Sequence, residues 1–220
     1  MMKLFIPILI TVMILTSFLF FLITKRSKEK HKKKTSAETG KEGEDKVAGL
    51  LNYVTYTNGY KVINNVLLNG GTNKSTQIDH IVVGRSGIYL IETKNYKGKI
   101  YAANGEEWYQ TPHPRANAIP FYSPEKQGLH HLYMLADAIR LKDKSYCHLI
   151  TVFPDSTDIE NHTKSKILHF NELIPELCSH RGNFLTNETV EKLYERINRV
   201  NTYTPQNLNK HIARVGALYN

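Results

Sequence analysis

The sequence predicts a mixed α/β domain carried behind a single transmembrane helix, and three observations lead there. Residues 4–24 are almost wholly apolar. Residues 39–155 alternate between helix-like and strand-like hydrophobic patterns, which is what mixed layers require. Residues 156–220 show helical spacing alone.

The apolar run from Leu4 to Thr24 is interrupted only by Pro7, Thr11, Thr16 and Ser17. At ~1.5 Å per residue, about 20 residues cross ~30 Å of hydrocarbon. A cleaved leader would carry a shorter apolar region, about 7–15 residues, closed by small residues. Here Lys25-Arg26 follow directly, so residues 1–24 are expected to stay as an anchor. The positive cluster lies on the C-terminal side, which puts the following domain in the cytoplasm as a single-pass membrane protein. Residues 25–38 read as a basic linker able to rest on anionic headgroups.

The net charge of +9 invites a nucleic-acid reading until it is located. Eight basic residues and one acidic residue precede Thr35, which leaves about +2 for the rest. Global charge therefore gives the folded part no general affinity for DNA. Cys147 and Cys178 lie far apart and outside any CxxC pair, which excludes a zinc ribbon and a disulfide scaffold. Both are expected as buried, reduced thiols.

Thr39-Gly40-Lys41-Glu42 fits a capping box, and Val47, Leu50, Leu51 and Val54 continue at helical spacing to Gly59. Tyr60–Leu68, Gln77–Val83 and Ile88–Lys94 read as strands between turn residues. Lys99–Ala102 and Glu107–Gln110 form a hairpin turning at Asn104-Gly105. Ser123-Pro124 caps a helix, Tyr146–Phe153 is a strand, and two helices close the chain. Residues 39–155 are taken as the domain and 156–220 as a helical C-terminal extension.

The chemistry lies in Gln77-Ile78-Asp79-His80 and Glu92-Thr93-Lys94. In a strand, residues two apart share a face, so Glu92 and Lys94 point the same way. A loop symmetric about Arg85-Ser86 pairs positions whose numbers sum to 171. Asp79 then opposes Glu92, and Gln77 opposes Lys94. Two opposed carboxylates repel unless a cation lies between them. Mg²⁺, or Mn²⁺, is the natural occupant, since hard divalent ions take oxygen ligands and activate water. Lys94 could orient that water or neutralise a phosphate. Glu44 falls on the inward face of the first helix, where a carboxylate needs a partner. The bland counterpart is a polar sheet face on which Lys94 merely neutralises Glu92. His80 is expected to pack and His130 and His131 to lie at the surface or rim. Trp108, Tyr101 and Tyr109 are expected to be aromatic core or hairpin packing.

Gly40-Lys41-Glu42-Gly43-Glu44, Gln77 to Val83, Gly87 to Gly98, Trp108 and Ser123 to Gln127 together resemble the nuclease-related domain, NERD, over roughly residues 36–155. The resemblance implies a PD-(D/E)xK, restriction-endonuclease-like mixed sheet flanked by helices. It implies Glu44, Asp79, Glu92 and Lys94 as catalytic residues, with Asp79 and Glu92 as metal ligands and Thr93 counted beside them. Gln77 and Gln127 are expected to meet nucleic acid. Ser123 stands where the family pattern leads one to expect Asn before the proline; serine caps a helix about as well. The expected activity is metal-dependent cleavage of DNA, resolvase-like or endonucleolytic, with a homodimer suited to a symmetric substrate. The rival is an inactive nucleic-acid-binding or adaptor module at the membrane.

Overall fold

The computed structural model describes Thr16 and residues 35–70, 74–103, 107–160, 166–179 and 182–218. Apart from Thr16, the expected membrane helix lies outside the described residues, as do 25–34 of the linker and the Asn104-Gly105 turn. Among the described residues no helix is long and apolar enough to cross a membrane. The chain divides into two compact units, Met1–Thr39 and Gly40–Asn220.

Helix α1 spans Ser36–Asn58. Its capping box lies one turn earlier than the sequence suggested. Glu38 Oε2 accepts the Thr35 amide at 2.8 Å, and Thr35 Oγ1 accepts the Glu38 amide at 3.2 Å. Residues 36–38 are therefore helix rather than linker. Gly59, at φ +67°, ends α1 in the left-handed conformation that glycine tolerates best.

Three antiparallel strands follow: β1 (Lys61–Asn69), β2 (Ser75–Gly84) and β3 (Gly87–Thr93). The hairpin β4 (Lys99–Ala103) and β5 (Glu107–Thr111) leads to a short β6 (Ile119–Phe121). Helix α2 (Pro124–Ala138) opens on Ser123, whose side chain accepts the Lys126 amide, as its Ser-Pro start required. Then come β7 (Cys147–Phe153), β8 (Asp158–Glu160), β9 (Lys166–His169), α3 (Phe170–Ser179), α4 (Asn187–Val200) and α5 (Pro205–Leu218). One sheet runs β1-β2-β3-β7-β9, antiparallel on one side and parallel on the other; the second runs β6-β5-β4-β8. Residues 156–220 are thus more than a helical extension, because β8 pairs with β4 and β9 with β7.

Helices cover both faces of the larger sheet. Ile81, Val83, Ile88 and Leu90 pack with Leu132 and Leu135 of α2 and Leu193 and Ile197 of α4. Val82, Tyr89 and Ile91 pack with Val47, Leu51 and Val54 of α1 and with Leu173 and Leu177 of α3. Trp108 is 1% exposed, against Ile100 and Phe153, so it is core as expected. The cysteines depart from expectation: Cys147 is half-buried and Cys178 is exposed.

Candidate active site

Register comes first, because one slipped residue would throw Glu92 to the other face. The β2–β3 pairs run from Gly84↔Gly87 to His80↔Ile91, each summing to the expected 171. Asp79 and Glu92 stand one step further along, where the strands part. On the other side, β1 pairs with β2 except opposite Asp79, where Asn65 adopts φ 57°. Inward residues change parity across that kink. Ile63 and Ile81 precede it, and Val66, Leu68 and Ile78 follow it, all in one core cluster.

The parting is filled by Asp79 itself. The amides of Ile88 and Lys94 go to Tyr146 O and Val152 O, so by alternation the Thr93 amide points toward β2. It donates to Asp79 Oδ2 at 2.8 Å in place of a backbone carbonyl. The Thr93 side chain belongs to the α1 side, where its Oγ1 is buried without a hydrogen-bond partner.

Glu92 shares its face with Ile88 and Leu90 and so meets α2, not the helix carrying Glu44, as had been expected. Its Oε1 accepts Lys94 Nζ at 2.9 Å and Gln127 Nε2 at 2.6 Å. Its Oε2 lies 3.1 Å from His131 Nε2, and His131 Nδ1 is 2.8 Å from Thr76 Oγ1. Lys94 also donates to Gln127 Oε1 at 2.8 Å. The amide beside Lys94 is therefore Gln127's rather than Gln77's. Glu44 arrives from the opposite layer. A Cβ on Gly43 would stand 2.7 Å from Asn95 Cβ, so only glycine lets α1 close on the end of β3 and carry Glu44 to the sheet's open end.

Glu44, Gln77, Asp79, Glu92 and Gln127 line one cleft of about 530 Å³, with Ser75, Thr76, Tyr122, His130, His131, His211 and Val215. Burial, then the charges of Glu92 and Glu44, hold the Asp79 carboxyl well above the ordinary carboxylate range. Burial followed by Glu92's charge also raises Glu44. Glu92 moves the other way. Burial pushes it up, but the Lys94 charge and the His131 and Lys94 hydrogen bonds outweigh this and bring it to about 2. Burial works against the Lys94 ammonium, yet Glu92's charge and hydrogen bond hold it above its usual value. The site is thus a charged Glu92–Lys94 pair beside a proton-hungry Asp79.

Every residue expected at the site is at this end of the sheet. His131 was missed. It was expected at the surface or rim, yet it is 4% exposed and directly on Glu92. Its spacing of four from Gln127 was the available signal, since residues four apart share a helix face. His130 is exposed, as expected. His80 is buried on Asn64 Oδ1 at 2.8 Å, and burial lowers it to about 4, which fits a packed, neutral ring. Among the described residues no three His, Cys, Asp or Glu side chains are grouped closely enough to hold a metal by themselves.

The molecule is a mixed α/β domain with an acidic cleft where its central strands part and Lys94 paired to Glu92 beside it. Residues 39–154 match the model of the nuclease-related domain, NERD, and the chain belongs to that family. An uncharacterized protein of Bacillus anthracis is 29% identical over 178 residues, covering 79% of this chain and 82% of that one. The crystal structure of a protein of unknown function, AF1548, aligns over 79% of this chain and 97% of its own at 12% identity, with a TM-score of 0.32. That superposition is too loose to bear on fold or function.

Proposed function

We propose that this is a membrane-anchored, metal-dependent nuclease that hydrolyses phosphodiester bonds in DNA, endonucleolytically or in the manner of a resolvase. The observation that carries the reading is the convergence of Glu44, Asp79 and Glu92 on one cleft with Lys94 beside them. Three carboxylates share a single ammonium, which leaves an excess of negative charge, and Asp79 has a raised affinity for a proton through burial first and then the charges of Glu92 and Glu44. A divalent cation answers the same excess, so the donors fit Mg²⁺ or Mn²⁺. Asp79 and Glu92 would hold it, Thr93 could add only its main-chain carbonyl, and Glu44 would act through water. Bound there, such an ion supplies Lewis-acid stabilisation of phosphate charge and a more acidic water.

The chain's own residues account for the rest. Lys94 is a compact cation held by Glu92 and Gln127, placed to meet a phosphate oxygen or orient a water. His131, anchored on Thr76, fixes the Glu92 carboxylate from its second oxygen. Gln77 and Gln127 present amides along the cleft. Residues 4–24 and the lysines after them support anchoring with the domain in the cytoplasm and the linker against anionic lipid. A homodimer would suit a two-fold substrate.

The same network favours a second reading. Glu92 already accepts from Lys94, Gln127 and His131, which suits a cleft that binds nucleic acid without turnover. The test is a panel of junction, flap, duplex and single-stranded DNA with the intact protein in detergent, with Mg²⁺, Mn²⁺ or EDTA. Cleavage lost in EDTA and in Asp79→Asn supports the nuclease. Binding of the same substrates with no product under any metal supports the inactive module.

A further inference from the structure

The family match ends at residue 154, but the cleft does not. One of its walls is α5, some fifty residues further on, which contributes His211 and Val215. The start of α5 is fixed by the segment before it. Asn201 Oδ1 accepts the Leu67 amide at 2.9 Å, and the Thr202 amide donates to Leu67 O at 2.9 Å, both on β1. The helix is then held to β2 at the cleft. Ser75 Oγ lies 2.8 Å from His211 Nδ1 and accepts Arg214 Nη1 at 2.7 Å.

Ser75 Oγ accepts the Arg214 N–H and still has a lone pair and a hydroxyl hydrogen for His211 Nδ1, so one serine ties both side chains of α5 to β2. Burial, with the charges of Arg214 and His131, lowers the His211 pKa. Arg214 spends one of five N–H groups on Ser75. The cleft therefore has an acidic floor and His211 on one wall, with the Arg214 guanidinium next to it on Ser75, itself a lining residue. Tyr122, another lining residue, is 52% exposed and leaves an aromatic face open at the same cleft.

We propose that α5 is the strand-gripping wall of this site, with Arg214 and His211 binding the phosphodiester backbone of a nucleic acid laid across the carboxylates. The inference rests on reading the cleft as a phosphodiester site and extends that site beyond the family's own boundary. Nucleic acid is favoured over a lipid phosphate because Tyr122, exposed at the same cleft, offers a base a stacking surface. Phosphate contacts of this kind set affinity and salt dependence without reading sequence.

The test is fluorescence anisotropy of a labelled DNA duplex and a labelled single strand with the intact protein in EDTA, over a salt series. Arg214→Ala should weaken binding several-fold and reduce the slope of log K against log salt by about one. Arg214→Lys, which keeps the charge but loses the fork, should retain most of the slope and less of the affinity. Asp79→Asn, which removes negative charge from the floor, should bind at least as tightly as the natural protein. Unchanged affinity and slope in Arg214→Ala would overturn the inference. So would loss of binding to phosphatidylserine vesicles with DNA binding intact, which would make α5 a lipid contact. A protein that cleaves normally while Arg214→Ala binds normally refutes the role of α5 and leaves the nuclease standing. Arg214-dependent binding without cleavage under any metal does the reverse.

Discussion

Asp79→Asn and Glu92→Gln should shift metal-free stability in opposite directions, although both remove one acid from the same cleft. Asp79 is raised in the folded state by burial and by Glu92 and Glu44. Its charged form is disfavoured on folding, so the cost grows as pH rises from the unfolded carboxylate range through the raised folded value. Asparagine removes that cost and its Oδ1 can still accept the Thr93 amide. Glu92 is depressed to about 2, so its contribution is present above the unfolded value near ~4.5 and is lost as pH falls toward ~2. At about 1.4 kcal/mol per pKa unit, that shift is worth on the order of 3 kcal/mol at most, because Asp79 moves the other way. Glutamine keeps part of the network, so a loss of about 2 kcal/mol is expected. At roughly 2–4 °C per kcal/mol, Glu92→Gln should melt about 4–8 °C lower at pH 7. Asp79→Asn should melt higher at pH 7, with the gain fading toward pH 4. Calorimetry or circular-dichroism melts in EDTA over pH 4–8 read both. Equal destabilisation by the two changes would show that both carboxylates are simply structural partners and would refute the charge argument.

Other outcomes follow from the same geometry. Mg²⁺ should raise the melting temperature more at pH 8 than at pH 5, where it competes with the Asp79 proton, and not at all in Asp79→Asn; an equal rise at both pH values would contradict this. Gly84→Ala should cost about 1–3 kcal/mol in denaturant unfolding, because a Cβ there would lie 1.9 Å from the Tyr60 ring. Tyr60 cannot yield freely, since its hydroxyl is 2.9 Å from both Ser86 Oγ and Leu177 O. His131→Ala should raise the Glu92 pKa and strand the Thr76 hydroxyl, lowering stability by about 2–4 kcal/mol, whereas His130→Ala should be near neutral. Removing residues 1–24 should release a soluble domain, and a C-terminal tag on the intact protein should resist labelling from outside the cell; surface labelling would reverse the proposed topology.

Local chemistry made much of this fold legible. A turn centred on Arg85-Ser86 sufficed for the β2–β3 register, and Ser123-Pro124 sufficed for the start of α2. Where the same signal occurs twice, local chemistry cannot choose. Thr35 to Glu38 and Thr39 to Glu42 are both Thr-x-x-Glu, and the first is the cap that forms. Strands as short as β8 and β9 leave no periodicity to detect, and α3 carries Pro175 in its interior. The kink at Asn65 has no sequence signature beyond an Asn-Asn pair, yet it decides how Asp79 reaches the Thr93 amide. His211 and Arg214 lie 136 and 139 residues from Ser75, a distance over which no spacing rule speaks.

The tie between the first strand and the last loop also governs how the chain can mature during synthesis. Leu67 bonds Asn201 across 134 residues, and Tyr60 bonds Leu177 across 117. Leu193 and Ile197 belong to the same cluster as Ile63 and Val66. Until α4 is translated, α2 alone can cover this side of the central sheet, and such distant pairings are slow to close. A ribosome that has not yet translated α4 would display β1, β2 and β3 with part of one apolar face uncovered, a state prone to association. A nascent chain stopped at residue 154, though it contains the whole family match, should cling to chaperones, and release should come only as α4 emerges.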